Sequence, residues 1–266
     1  MVFPVKIWLA LAASLLACAI GFKHYIWFFS IGYGLAVAVL GALLLGVYAS
    51  SLTAGTVLCC VVLIAYGLRL SGYLAFREWK VKSYHQNMKG EIKDSKTVPM
   101  GVKIAIWIAC GILYVLMVAP VFYRLANGSG SNAWTYIVAV LMLVCLVVET
   151  LADLQKNAAK KRNPKRFVDT GLYRFVRCPN YLGEMLIWTG AVISGIGAVS
   201  GWQWAVVALG YIGIAYVMFS GARRLEIRQN RNYGSDPEYQ QYVKTVPIMI
   251  PFVPLYSVEK YKWLVA

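Results

Sequence analysis

Three polar side chains share one face of an apolar segment in the first third of the chain. Tyr66, Arg69 and Tyr73 are spaced i, i+3 and i+7, which places them on one side of an α-helix. A buried phenol beside a cation can donate a hydrogen bond to a carbonyl oxygen and stabilise the negative charge that develops there. Alternatively, Arg69 extends to the membrane interface and Tyr73 belongs to an aromatic belt. Tyr66 lies one turn deeper and fits this alternative less well.

A stripe of charged residues follows a later apolar segment. Glu149, Asp153, Lys156 and Lys160 recur at helical spacing. The simplest interpretation is a solvated helix end with acid–lysine pairs, each worth a few tenths of a kcal/mol. Glu149 does not fit this interpretation well, because it lies within the apolar segment. An acid there should face the interior of a helix bundle or a water-filled cavity.

The densest polar pattern occupies residues 171–184, with the sequence GLYRFVRCPNYLGE. Pro179 suits the first turn of a helix, and the free N–H groups of such a helix start can bind an anion. Arg174 and Arg177 flank this point, and arginine binds phosphates in a bidentate manner. Asn180 can both donate and accept hydrogen bonds, as the recognition of a carboxamide requires. Binding of anionic lipid by a basic loop is the alternative.

Two further arginines follow the last apolar segment. Arg224 and Arg228 are one helical turn apart and can contribute to the same phosphate site. The alternative is that they only anchor the cytoplasmic end of a membrane span.

Other kinds of site have weaker support in the sequence. His24 and His85 are too few and too far apart for histidine-based metal ligation or a hydrolytic triad, so we predict no metal site. The sequence contains neither a Gly-x-Gly-x-x-Gly motif nor a Walker loop. Five of the six cysteines lie in apolar runs, where they serve as small packing residues. A nucleotide would therefore need a different kind of binding site.

The composition is that of a membrane protein. Apolar residues make up 60% of the 266 residues and charged residues 14%, whereas soluble domains carry about a quarter of charged residues. A net charge of +15 could indicate nucleic-acid binding. A nucleic-acid-binding protein, however, would not carry several uncharged apolar runs of about 18 residues. We therefore predict an all-α, polytopic membrane helix bundle in one domain over residues 1–266, with no nucleic-acid partner.

Apolar runs of about 17 to 25 residues predict about seven transmembrane helices. They lie near residues 5–21, 26–48, 52–76, 104–123, 134–152, 181–199 and 203–220.

Basic residues fall in alternate connections of this bundle. Residues 77–103, 154–180 and 221–266 hold 22 of the 26 lysines and arginines. The connections at 49–51 and 200–202 carry no charge, and the connection at 124–133 carries only Arg124. Because cytoplasmic loops are enriched in lysine and arginine, we predict that the N-terminus lies outside and the C-terminus in the cytoplasm.

The predicted organisation is then as follows. Spans 1–3 occupy residues 1–76, and a cytoplasmic loop occupies residues 77–103. Spans 4 and 5 occupy residues 104–152, and a basic cytoplasmic cofactor loop occupies residues 153–180. Spans 6 and 7 occupy residues 181–220, and a cytoplasmic C-terminal segment occupies residues 221–266.

Residues 171–184 resemble the C-terminal signature GLYRYVRHPNYLGE of the membrane steroid 5-alpha-reductase-like family (3-oxo-5-alpha-steroid 4-dehydrogenase C-terminal type). This family is related to isoprenylcysteine and phospholipid methyltransferases. The spacing of Tyr66, Arg69 and Tyr73 resembles the third-span pattern of the reductases, and Asp153 resembles their aspartate before a basic stretch. Tyr239-x-x-Tyr242 followed by Val246-Pro247 is similar to both branches. The resemblance extends loosely over about residues 55–255.

This resemblance implies a seven-helix bundle that binds NADPH in a cytoplasm-facing cavity and transfers hydride to the beta carbon of a conjugated enone. Tyr66 would be the carbonyl-polarising residue, with Glu149 or Glu184 as a catalytic acid and Arg69 and Tyr73 near the substrate. The substrate would be a hydrophobic, steroid-like lipid. The cofactor-binding residues would be Asp153, Lys156, Lys160, Arg174, Arg177, Asn180, Tyr181, Arg224, Arg228 and Tyr242.

The sequence departs from the family pattern at two points. Cys178 stands where the family usually has histidine. Steroid reductases also place a catalytic glutamate in the second span, whereas residues 24–50 contain no acid. Either Glu149 or Glu184 therefore substitutes as the partner of Tyr66, or the substrate is not a 3-oxo-steroid.

Two other functions remain open from the sequence. One is a methyltransferase of the related branch that uses S-adenosylmethionine. That branch usually carries paired glutamates after the last span, whereas Glu226 is a single glutamate at this place in the chain. The other is a non-catalytic membrane protein with a lipid-binding basic surface. The sequence fits either a bacterial inner membrane or the endoplasmic reticulum, and it leaves the oligomeric state open.

Overall fold

The computed structural model describes residues 4–80 and 97–264, and within these ranges the chain forms α-helices and no β-strand. Much of the predicted cytoplasmic loop 77–103 lies outside the described residues. The helices are α1 (Lys6–Cys18), α2 (Ile31–Val47), α3 (Ala54–Lys80), α4 (Met100–Ala126), α5 (Ala133–Arg162), α6 (Pro179–Ser194), α7 (Gln203–Tyr233) and α8 (Pro237–Thr245). Short 3₁₀ turns flank α2 and precede α6.

Five helical segments of the described chain are long and apolar enough to cross a membrane. They are α3, α4, α5, α7 and the segment Tyr25–Val47, which joins a 3₁₀ turn to α2. These helices support an integral membrane protein. The other two predicted spans correspond to the shorter helices α1 and α6. The 16 residues of α6 extend over about 24 Å at 1.5 Å per residue, which is less than the apolar thickness of about 30 Å.

The helix contacts divide the chain into two compact units. The first unit comprises Met1–Ala139 and Ala191–Tyr211, and the second comprises Val140–Gly190 and Ile212–Ala266. Helices α5, α6 and α7 contribute residues to both units.

In the first unit, α2 and α3 approach closely at two glycines. A Cβ atom added to Gly67 would lie 2.3 Å from the carbonyl oxygen of Gly34, and one added to Gly34 would lie 2.6 Å from that of Gly67. The Ser71 hydroxyl donates to the carbonyl oxygen of Ile31 at 2.8 Å across the same interface. Glycines permit this approach because they have no Cβ, as is common between membrane helices.

Three charge-poor connections meet at one end of the first unit. Thr53 precedes α3, and its hydroxyl lies 2.6 Å from that of Ser131, which precedes α5. The side-chain amide of Asn132 donates to the carbonyl oxygen of Ile196, in the connection after α6, at 2.9 Å. The segments before α3, before α5 and after α6 therefore lie together in the first unit.

Two cations at this end bind backbone carbonyl groups. Arg124, which the sequence placed in the connection 124–133, is instead part of α4 and is 1% exposed. Its carbonyl acceptors, each at 2.7 Å, belong to Ser194, Gly130 and Ile196. Lys6 of α1 donates to the carbonyl oxygen of Val47 at the end of α2, at 3.2 Å. Carbonyl groups at helix ends lack partners within the helix, so cations suit this position.

In the second unit, the segment before α6 is held against α5 and α8. Gly171 adopts a φ of +62°, a conformation that glycine tolerates without strain. The next backbone N–H, that of Leu172, donates to the side-chain oxygen of Gln155 in α5 at 2.8 Å. The Tyr242 hydroxyl in α8 donates to the carbonyl oxygen of Tyr173 at 2.7 Å. These contacts fix the approach to the first turn of α6.

Candidate functional site

A buried pair of phenols from two helices forms the core of the first unit's polar interior. Tyr66 in α3 is fully buried, and its hydroxyl lies 2.8 Å from the hydroxyl of Tyr33 in α2. One of the two oxygens donates and the other accepts. The sequence singled out Tyr66 but not Tyr33, and it left the partner of Tyr66 between two acids. In the structure this hydrogen bond is made by a second tyrosine.

A third tyrosine holds the ring of Tyr33 in place. The rings of Tyr33 and Tyr114 are stacked with centroids 4.9 Å apart and an interplanar angle of 25°. The Tyr114 hydroxyl donates to the carbonyl oxygen of Phe28 at 2.7 Å. Because its hydroxyl is used by the backbone and its ring by Tyr33, Tyr114 supports the pair. We refer to Tyr33, Tyr66 and Tyr114 as the tyrosine cluster.

The close approach of α2 and α3 explains why the two phenols meet. Tyr33 directly precedes Gly34 and Tyr66 directly precedes Gly67, the two glycines at which the helix backbones touch. The sequence repeats a tyrosine followed by glycine in these two spans, but this repeat by itself does not show that the two phenols meet.

The remaining residues predicted on this face lie further along α3. Arg69 and Tyr73 are each partly exposed, and the Arg69 guanidinium lies over the Tyr73 ring at 5.3 Å from its centroid. Arg77, one turn beyond Tyr73, lies over the same ring at 5.7 Å. Arg69 and Tyr73 are therefore brought together as a cation–π pair. Their predicted contact with a substrate stays a prediction.

In the second unit, the three predicted acids are all buried. Glu149, Asp153 and Glu184 are 3%, 8% and 6% exposed. Helices α5 and α6 touch beside them, because a Cβ atom added to Gly183 would lie 3.0 Å from the Cβ atom of Glu149. Buried carboxylates are costly unless other groups match their charge, so this stripe is more than the solvated helix end that spacing alone would allow.

Arg177 forms a deeply buried ion pair in the second unit. It is 2% exposed, and its Nη2 atom donates to Glu226 Oε1 at 2.7 Å and to the carbonyl oxygen of Tyr256. The other carboxylate oxygen of Glu226 accepts from the backbone N–H of Val258 at 2.8 Å. The Nε and Nη1 atoms of Arg177 have no hydrogen-bond partner in the part of the chain that is described. Arg177 thus combines a structural ion pair with two buried nitrogen atoms that lack a hydrogen-bond partner among the described residues.

Glu226 was not among the predicted site residues. Its only signal in the sequence was its position as a lone acid among the arginines of residues 223–228. A lone acid in a basic run on a helix is a candidate for a buried partner, but the spacing does not show which arginine it would meet. The partner is 49 residues away in the chain.

The other predicted cofactor residues differ in their hydrogen bonding and in their exposure. Lys160 uses its ammonium group within the protein, donating to the carbonyl oxygens of Pro164 and Arg166 at 3.3 and 2.5 Å and to the Tyr233 hydroxyl at 2.6 Å. An ammonium has three donors, so all are engaged. Arg174 and Arg224 are exposed, while Lys156, Asn180, Tyr181, Arg228 and Tyr242 are half-buried. Their cofactor contacts stay predictions.

Tyr181 and Tyr242 contribute to packing in the second unit. A Cβ atom added to Gly221 of α7 would lie 3.2 Å from the Tyr181 hydroxyl oxygen. The Tyr242 ring lies 5.3 Å from that of Phe167. Burial raises the pKa of the Tyr242 phenol, with a further contribution from Cys178. Tyr242 is therefore a neutral hydrogen-bond donor at physiological pH.

Cys178 stands where the resembled reductase signature has histidine, and its thiol is unreactive at neutral pH. It is 1% exposed, and burial raises the pKa of its thiol to about 11, with partial compensation by Arg177 and Lys156. Because the thiolate is the nucleophilic form of cysteine, this residue is not a nucleophile at neutral pH. Its backbone N–H donates to the carbonyl oxygen of Ile248 at 2.9 Å.

Metal ligands do not cluster in the described part of the chain. Among those residues, no three of histidine, cysteine, aspartate and glutamate lie close enough to hold a metal ion.

Comparison with curated proteins gives a partial match. An uncharacterized protein of Schizosaccharomyces pombe (C594.04c) is 31% identical over 134 residues, which cover 41% of this chain and 38% of the relative. The match therefore spans about two fifths of the length of that relative. No solved structure matches this chain.

Comparison with protein families gives a match over most of the chain. Residues 22–246 match the family described as protein of unknown function (DUF1295). This range includes the tyrosine cluster, the acids of α5 and α6 and the Arg177–Glu226 pair. The chain therefore belongs to the DUF1295 family.

Proposed function

We propose that this protein is an NADPH-dependent reductase of a conjugated carbon–carbon double bond in a hydrophobic, steroid-like enone. The observation that carries the proposal is the fully buried Tyr66–Tyr33 hydroxyl pair, at 2.8 Å. A phenol in an apolar interior is a suitable donor to a carbonyl oxygen that gains negative charge. The resemblance of residues 171–184 to the reductase signature supplies the reaction class.

The proposed reaction is a conjugate addition. NADPH, when bound, supplies a hydride that forms a C–H bond at the beta carbon, while the carbon–carbon π electrons move to make an enolate. Tyr66 donates a hydrogen bond to the enolate oxygen. Tyr33 donates in turn to Tyr66 and so stabilises the charge that Tyr66 acquires. A proton from water then adds to the alpha carbon as the enolate returns to a carbonyl group, so that the products are the saturated ketone, NADP⁺ and hydroxide.

The second unit has a donor set that fits an anionic dinucleotide. Arg174 and Arg224 are exposed cations, and the buried Arg177 guanidinium has two atoms without a hydrogen-bond partner among the described residues. Asn180 is the second residue of α6, next to the free N–H groups of the helix start. We assign phosphate binding to the arginines and the contact with the nicotinamide amide to Asn180.

The proposal includes a membrane topology. We infer seven spans, with α1 and α6 as the short ones, the N-terminus outside and the C-terminus in the cytoplasm. Support comes from the charge-poor connections that meet at one end of the first unit and from the basic residues in the alternate connections. The reaction then faces the cytoplasm, from a bacterial inner membrane or the endoplasmic reticulum.

Ligand stabilisation of the purified protein tests this function. A ligand held at 100 times its dissociation constant stabilises the folded state by about 2.7 kcal/mol. We expect NADPH to raise the melting temperature and S-adenosylmethionine to leave it unchanged. The Tyr66→Phe variant should keep the NADPH response, and Asn180→Ala should lose most of it. Stabilisation by S-adenosylmethionine alone would instead identify the methyltransferase of the related branch.

A further inference from the structure

The last residues of the chain run back along α7. The C-terminal tail, which we define as residues 246–264, has no α-helix. The backbone N–H of Val258 binds Glu226, and Arg223 Nε donates to the carbonyl oxygen of Glu259 at 2.9 Å. Further on, the Tyr216 hydroxyl donates to the carbonyl oxygen of Trp263 at 3.1 Å. Between Glu259 and Trp263 the tail therefore extends from Arg223 toward Tyr216, and the carbonyl oxygen of Leu264 again accepts from Arg223 Nη1 at 3.1 Å.

This path takes the tail alongside the apolar part of α7. Residues 203–222 carry no charged side chain, and Arg223 is the first charge after them. Tyr216 is seven residues before Arg223, which corresponds to about 10 Å along a helix. The Trp263 ring stacks on the Tyr216 ring, with centroids 6.2 Å apart and an interplanar angle of 28°. Trp263 thus lies at the level of a membrane-spanning segment.

The side chains of the tail suit a boundary between lipid and water. Trp263 is 67% exposed although it lies beside the apolar run. Tyr261 lies next to it, with ring centroids 6.5 Å apart, and the Lys260 ammonium lies 5.2 Å from the centroid of the Tyr261 ring. Tryptophan and tyrosine are enriched at membrane interfaces, and lysines beside them reach the headgroups.

We propose that residues 259–264 form an interfacial membrane anchor whose partner is the headgroup region of the bilayer around α7. Exposed aromatic surface beside an apolar helix is stabilised by lipid and not by water, because its burial removes apolar area from water. The anchor also fixes the preceding residues Tyr256 and Val258, which bind Arg177 and Glu226. This inference does not depend on the proposed reaction.

Spin-label accessibility in nanodiscs tests the anchor. A spin label at Lys262→Cys leaves Trp263 in place and reports how deep this part of the tail lies in the membrane. A second label at Trp263→Cys measures the depth at the neighbouring position. Gln241→Cys, on the exposed polar helix α8, is the matched control. All native cysteines are buried, so labelling of the unsubstituted protein gives the background.

The outcomes are distinct. We expect the labels at 262 and 263 to be relaxed by oxygen and shielded at least several-fold from a water-soluble nickel chelate, relative to the label at 241. If the labels at 262 and 263 meet the nickel chelate as readily as the label at 241, the tail lies in water and the proposal is wrong. The comparison needs no enzyme activity, so it stands whatever the result with NADPH.

Discussion

The two buried phenols have different roles in the proposed reaction. Tyr33 is held by its ring stack on Tyr114 and by its hydrogen bond to Tyr66. In the proposed reaction Tyr33 donates to Tyr66, and Tyr66 donates to the carbonyl oxygen of the substrate. The pair would then supply one directed donor and one group that supports it.

Removal of the two hydroxyls should have unequal effects on turnover. We expect Tyr66→Phe to lower kcat by about 10²- to 10³-fold, as the loss of one donor to a developing oxyanion does. Tyr33→Phe should lower kcat by about fivefold, because it removes one supporting hydrogen bond worth about 1 kcal/mol. The Kd for NADPH should stay unchanged in both variants. Steady-state kinetics and a binding titration measure these quantities.

Tyr114→Phe is the matched control for these variants. It removes a buried phenol of the same cluster whose hydroxyl serves the carbonyl oxygen of Phe28. Its melting temperature should fall while its kcat stays close to that of the unsubstituted protein. Equal losses of kcat in all three variants would mean that the cluster has a packing role only.

The Arg177–Glu226 pair gives a stability prediction. We expect Arg177→Ala to destabilise the protein by about 3–5 kcal/mol, because it leaves the Glu226 carboxylate buried without its partner. The double variant Arg177→Met with Glu226→Leu should recover much of this loss, since apolar residues of similar volume can replace a buried ion pair. Denaturation in detergent measures both.

Cofactor binding separates the two roles of Arg177. The double variant should be stable but should bind NADPH more weakly than the unsubstituted protein, because the buried donors of Arg177 are gone. Unchanged affinity in a stable double variant would show that Arg177 is a structural residue only.

At the scale of helices, the glycine contact between α2 and α3 determines how the phenols meet. We expect Gly67→Ala to cost about 1–3 kcal/mol, because its Cβ would meet the carbonyl oxygen of Gly34 at 2.3 Å. The two helices must then separate, so the Tyr33–Tyr66 hydrogen bond should weaken and kcat should fall. Melting temperature and turnover measure the two effects.

Gly72→Ala is the control for this contact. It lies in the same helix, and an added Cβ would meet nothing within 4 Å. This variant should be neutral or more stable by up to about 1 kcal/mol, because alanine favours helices over glycine. If Gly67→Ala is as well tolerated as Gly72→Ala, the close contact does not position the phenols.

The helices themselves were largely predictable, and their partners were not. Long apolar runs predicted α2, α3, α4, α5 and α7 because burial in lipid requires an uncharged run of about 20 residues. The end of α6 at Ser194 was missed, since an apolar run does not show where a glycine turns the chain. The run 181–199 continues through Gly195 and Gly197, and Gly197 has a φ of +77°.

Contacts between distant segments were the main gap in the sequence prediction. Tyr66 could be chosen from its depth and spacing on one helix. Tyr33 and Glu226 could not, because each acts through a side chain 33 or 49 residues away. Pairing across helices depends on the packing of backbones, here at Gly34 and Gly67, which residue types do not specify.

For the whole molecule, the charge pattern predicts which connections share a side of the membrane. We expect cysteines introduced at Ser50 and at Lys161, both exposed, to react on opposite sides. A membrane-impermeant maleimide should label Ser50→Cys from outside and Lys161→Cys only from the cytoplasmic side. Labelling of oriented membrane vesicles measures this, with the unsubstituted protein as background.

Labelling of both positions from the same side would contradict the seven-span topology. It would mean that one of the three segments between these positions, α3, α4 and α5, does not cross the membrane. The basic ends of α5 and α7 would then need another explanation than the positive-inside rule.

Deuterium transfer tests the proposed hydride transfer to the beta carbon. The purified protein in nanodiscs is supplied with NADPH carrying deuterium at the transferable position and with a steroid-like enone, and the product is analysed by mass spectrometry and NMR. We expect one deuterium at the beta carbon of a saturated ketone, formed in step with NADPH oxidation and lost in Tyr66→Phe. Methyl transfer from S-adenosylmethionine to a lipid acceptor, with no oxidation of NADPH by any enone, would contradict it.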